Sequence, residues 1–188
     1  RAEFLSLALR DPEAKKLPHV RTLTATVASQ IGAANAKDEL AVFVKLIEGL
    51  SNEAADKALG EDLVKALVSK QPSVKELLAS ATSGKAKEIV AAMIRDAQIV
   101  AVDDQNLVAD RVAAIRTLST AEYASVSGLL SKLLQSREPQ AVQSAALETL
   151  GRFDDPAVAK LIFIAWPSQT PQVRATSIET LFTRPEWI

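Results

Sequence analysis

Apolar residues recur every three or four positions along most of this chain, and that spacing predicts helices. In 139–153, Val142, Ala145, Ala146, Leu150 and Phe153 make one stripe, while Gln143, Glu148 and Arg152 fall outside it. Val126, Leu129, Leu130, Leu133 and Leu134 do the same in 120–135, as do Val158, Leu161, Ile162 and Ala165 in 156–166. The pattern predicts helices over roughly 2–9, 18–33, 36–50, 53–69, 72–80, 84–101, 104–118, 120–135, 139–153, 156–166 and 171–183. Asp11-Pro12, Asp155-Pro156 and Thr170-Pro171 each set a capping side chain before a proline suited to the first helical position, so they read as helix starts. Ser51-Asn52 reads as a turn and cap, and Gly60 as a weak point or kink in its helix. Helices 18–33 and 36–50 look like a pair, Val20, Leu23, Val27 and Ile31 facing Leu40, Phe43, Val44, Ile47 and Leu50. No linker stands out, and Ser80-Ala-Thr-Ser-Gly84 is the most loop-like stretch.

The stripes repeat. Aligned on Leu150 and Leu181, which are 31 residues apart, Val142 matches Val173, Gln143 matches Arg174, Ala146 matches Ser177 and Leu147 matches Ile178. A third copy ends at Leu118, 32 residues before Leu150, and places Arg111 where Gln143 and Arg174 stand. Helical units at a period below about 50 residues mean a solenoid, in which each unit buries its stripe against its neighbours. The expectation is an all-α, right-handed superhelix of about five antiparallel helix pairs. It fills a single domain over 1–188, with a divergent or capping portion at 1–103 and regular repeats at 104–188.

Composition narrows the partners. The 22 basic and 23 acidic side chains leave a net charge of −1, and no like-charge run exceeds a pair such as Lys15-Lys16. Nucleic acids and anionic membranes select clustered Lys and Arg, so this balance argues against both. No apolar run approaches the roughly 18 residues of a membrane span, and residues 1–10 stop too early for a signal peptide. The absence of cysteine removes disulfides, thiolate metal sites and covalent c-type haem attachment from these residues. The chain begins mid-pattern without Met, which suggests a piece of a larger protein.

Pairs with Pro-x-Val-Arg or Pro-x-x-Val-Gln at the second helix, then Ala and Leu at fixed offsets, resemble HEAT repeats. The run of Ala157, Lys160-Leu161, Trp166-Pro167, Pro171-Gln-Val173-Arg174 and Thr183-Arg184-Pro185-Glu186-Trp187 goes further. It resembles the HEAT-like region of large planctomycete multidomain proteins, membrane-bound dehydrogenases or haem-binding proteins by family label. Asp11-Pro12, Pro18-His-Val20-Arg21 and Ile31-Gly32-Ala33 are similar too. That resemblance implies a propeller before this region, a cytochrome c module after it, and a periplasmic or membrane-associated parent. It carries no haem ligand and no dehydrogenase residue onto this chain, whose part would be that of a spacer or docking surface.

Candidate chemistry is sparse. His19 is the one histidine, beside Pro18 at a helix start, and reads as a capping or solvent-facing residue; no Gly-x-Ser-x-Gly elbow accompanies it. Asp103-Asp104 and Asp154-Asp155 read as charges at helix N-termini, not metal ligands. Glu148 and Glu179 are repeat equivalents of Arg116, so the repeat explains them. Trp166 and Trp187 read as plugs between repeats, and Tyr123 as a packing residue with a wet hydroxyl. The positions that matter most are Arg111, Gln143 and Arg174, which would stack as a ladder on the concave face. Such a ladder either binds a partner's acidic or backbone groups or bonds to helix ends within the array. No catalytic residue, cofactor or metal is expected here. The reading is a non-catalytic scaffold that binds proteins or neighbouring domains of the same chain. The alternatives are a HEAT-like DNA glycosylase, which needs a basic groove, and a HEAT-like lyase, which needs a deep polar pocket.

Overall fold

A computed structural model describes residues 1–51, 53–68 and 84–187 of the chain. The helix expected over 72–80, most of the Ser80–Gly84 loop and the cap at Asn52 lie outside the described residues. Among the described residues the structure is all-helical, without strands. In chain order the helices are α1 (Ala2–Ala8), α2 (Pro18–Ala34), α3 (Lys37–Gly49), α4 (Ala54–Val68), α5 (Gly84–Val102), α6 (Val108–Thr117), α7 (Tyr123–Leu133), α8 (Gln140–Leu150), α9 (Ala157–Ala165) and α10 (Pro171–Phe182).

The chain forms two compact units, Arg1–Met93 and Ile94–Ile188, and the boundary falls inside α5. In the first unit α1 packs on α2 and α3, and α2 packs most extensively on α4. The expected partnership of α2 with α3 is thus a minor contact, and second helix meets second helix instead. Glycine explains the choice: a Cβ at Gly32 would stand 2.0 Å from the Leu67 carbonyl oxygen, so α2 and α4 touch almost backbone to backbone. The same contact turns α2 about its axis. Thr24, Ala28, Ile31 and Gly32 are buried, whereas Leu23, expected in the core, is 49% exposed. Large apolar side chains mark a stripe in sequence, but here close approach favours small ones.

Local chemistry sets the helix ends. Asn35, at φ 48°, takes the left-handed position that ends α2. Asp11-Pro12 does not start an α-helix: the Glu13 N–H donates to Asp11 Oδ1 at 2.9 Å, and a 3₁₀ turn, Ala14–Lys16, follows. α4 runs unbroken through Gly60, where a Cβ would lie 3.0 Å from Ile89 Cδ1, so that glycine makes room for a neighbour. In the first turn of α4, the Asp56 carboxylate accepts the Ser51 N–H at 2.8 Å and pairs with Lys15 at 3.2 Å. Burial pushes its pKa up, but those partners outweigh burial and hold it below the ordinary carboxylate value.

In the second unit, α6 packs on α8 and α8 on α10, a row of second helices, with α7 against α8. The core joins Ile115, Leu118, Leu130, Val142, Leu147, Leu150, Val158, Ile162 and Val173, all without exposed surface. Trp187 is buried in that cluster, as its reading as a plug implies. This arrangement in neighbouring pairs is the HEAT-like helical repeat expected from the spacing.

Candidate functional site

The three ladder residues occupy the same place in successive second helices; Arg111 and Arg174 reach the end of the helix before their own, and Gln143 reaches the connection just ahead of its own helix. Arg111 in α6 is 3% exposed, and its Nε donates to the Ala101 carbonyl at 3.0 Å, in the last turn of α5. Its Nη2 donates to Glu138 Oε2 at 2.6 Å, in the connection between α7 and α8. Gln143 in α8 is 2% exposed and donates through Nε2 to the Glu138 carbonyl at 2.7 Å. Arg174 in α10 is half-buried, donating to the Trp166 carbonyl at 3.3 Å and the Pro167 carbonyl at 3.4 Å. Its guanidinium also lies over the Trp166 ring, 5.3 Å from the centroid.

Helix ends carry carbonyls that no backbone N–H satisfies, and the macrodipole adds negative character there. Arg111 supplies a donor to the end of α5, Arg174 adds to the bond that the Trp166 carbonyl already takes from the Gln169 N–H, and Gln143 serves a carbonyl of the connection before α8. Glu138 couples two steps of the row, since its carboxylate takes Arg111 and its carbonyl takes Gln143. Gln143 Oε1 is buried and accepts no hydrogen bond among the described residues.

The other sequence candidates are dispersed. His19 is exposed in the first turn of α2. α6 begins at Val108, later than expected, because Asp103 and Asp104 form the preceding turn, with Asp103 accepting from the Gln105 N–H and Asn106 Nδ2 at 3.0 Å each. Asp155 caps α9 through the Ala157 N–H at 2.9 Å, and Asp154 pairs with Arg184 at 3.0 Å. Glu148 pairs with its repeat counterpart Arg116 at 3.3 Å, both half-exposed, and Glu179 is exposed. The Tyr123 ring packs 5.5 Å from that of Phe153, and burial, with Asp155 adding to it, pushes its hydroxyl pKa up. Among the described residues no three His, Asp or Glu side chains gather as metal ligands.

A groove of about 640 Å³ between α2 and α4 was not anticipated. Thr22, Ala25, Thr26 and Ser29 line it on α2, with Ala66 on α4. Arg21 pairs with Asp62 at one side, and Gln30 and Lys65 complete the rim. Thr22 and Thr26 turn their hydroxyls back onto carbonyls four residues earlier, at 3.0 and 2.9 Å, which leaves their methyls to the groove. Lys65 is exposed and has no ion-pair partner among the described residues. The signal in the sequence was the run of small residues at spacing three and four on one face of α2, which a search for large apolar side chains passes over.

Stacked helix pairs with second helices in a row define the class as an α-helical repeat protein. Residues 97–181, from the end of α5 to α10, match the family model described as HEAT repeats, which supports a HEAT-repeat region there. No curated protein and no solved structure matches the chain. No helix among the described residues is long and apolar enough to cross a membrane.

Proposed function

We propose that this chain is a non-catalytic scaffold that holds an extended segment of another protein, or of its own parent, in the α2–α4 groove. Arg111, Gln143 and Arg174 then serve as internal ties. One observation carries the reading, namely the way polar groups divide between the two places. Along the row, Arg111 and Gln143 are buried and Arg174 is half-buried, and each donates to main-chain carbonyls of the same unit. In the groove, small side chains leave room, Gln30 offers an amide at the rim, and Lys65 is an exposed cation without an ion pair among the described residues. An extended peptide with an acidic side chain over Lys65 matches that space and charge. HEAT repeats as a class mediate protein contacts, which supports a protein partner over a small substrate.

The test is peptide selection on the immobilised full chain, followed by affinity measurement on the best binder. Lys65→Glu is expected to weaken an acidic peptide about tenfold or more, and Arg174→Ala to leave it unchanged. Loss of binding in Arg174→Ala alone would return the contact surface to the ladder. Salt-sensitive micromolar binding to duplex DNA would favour the glycosylase-like alternative. The finer placement, in a planctomycete-type redox parent, rests on the resemblance around Trp166-Pro167 and Arg184-Pro185-Glu186-Trp187. A Cys-x-x-Cys-His downstream in the parent gene is the check.

A further inference from the structure

α10 carries a stripe that its predecessors bury. In the repeat frame, Ile178 stands where Ile115 and Leu147 stand; those two have no exposed surface, whereas Ile178 is 44% and Phe182 69% exposed. Pro171 and Ala175 are exposed as well, so the stripe runs at spacings of four, three and four along one side of the helix. The interface between successive second helices is thereby continued on a face with no helix on it among the described residues. A further pair in the same register fits it poorly. At the place of Phe182 the earlier pairs have Ser119 and Gly151, and a Cβ on Gly151 would already stand 3.0 Å from Thr180 Cγ2. A phenyl ring there keeps the next helix from approaching as α10 approaches α8.

We propose that a second copy of this chain covers the stripe, its α10 lying parallel to the first about a two-fold axis. Ala175 and Phe182 then take a positions of a heptad, and Pro171 and Ile178 take d positions. Arg174 falls at g and Glu179 at e, five residues on, the spacing at which g of one parallel helix meets e of the other. Glu179 has no ion-pair partner among the described residues, and Arg174 keeps its Nη1 free of the bonds to Trp166 and Pro167. The two-fold axis forms the Arg174–Glu179 pair twice, and Ala175 lets the helices come close. A symmetric interface of this kind uses one face only and closes at two copies.

Light scattering on the full chain at tens of micromolar is expected to give twice the monomer mass. Ile178→Glu is expected to give the monomer mass with unchanged helicity and a melting temperature that no longer rises with protein concentration; Phe182→Lys is the second variant should that one fold poorly. The chain has no cysteine. Ala175→Cys should therefore cross-link the two copies on mild oxidation, because a positions face each other across a parallel axis, and Glu179→Cys should not. A monomer at every concentration overturns the proposal, as does a dimer that survives both charge substitutions or one that Ala175→Cys cannot cross-link.

Discussion

Gly32 and Arg111 show how single residues decide the packing of this chain in opposite ways. Gly32 acts by having no side chain: with the Leu67 carbonyl 2.0 Å from where its Cβ would be, any substitution forces two backbones apart. Gly32→Ala is expected to destabilise by about 1–3 kcal/mol, read as a lower denaturant midpoint, although alanine is the better helix former. Arg111 acts through its length. It crosses from α6 to the end of α5 and on to Glu138, and it is buried only because both destinations accept hydrogen bonds. The same side chain without those acceptors would stay in water.

At the scale of helices, the burial of α8 sets the strength of the row. Val142, Ala145, Ala146, Leu147 and Leu150 are at most 1% exposed, with α6 on one side and α10 on the other. Leu147→Ala is expected to cost about 2–5 kcal/mol in unfolding free energy, depending on how far the neighbours close the cavity. The start of α10 is fastened twice over: Thr170 Oγ1 takes the Val173 N–H at 3.4 Å and also accepts from Gln140 Nε2 at 3.2 Å, which ties it to α8. By contrast α2 owes its position largely to small residues around Ile31, and Leu23, also expected in the core, is half-exposed.

Across the whole molecule, the repeat was legible because it rests on spacing. Leu118, Leu150 and Leu181 recur at fixed offsets, all three are buried, and the helices that carry them pack in a row. What spacing could not settle was which way a polar residue in that frame would turn. Arg111, Gln143 and Arg174 are equivalent in sequence whether they meet a partner or a carbonyl, and only the placement of Ala101, Glu138 and Trp166 decides it. The groove was harder still to read, since it arises from missing bulk on α2 and from an α4 whose register depends on Gly32. Under the proposed function the polar row is internal and the groove is the surface on offer. The unfolding free energy of Arg111→Ala tests this most directly. Removing Arg111 leaves the part-buried Glu138 carboxylate and the Ala101 carbonyl without their donor, so the expected loss is about 1.5–3 kcal/mol, with peptide affinity in the groove unchanged for the folded fraction. Stability equal to that of the unaltered chain, together with lost peptide binding, would contradict it.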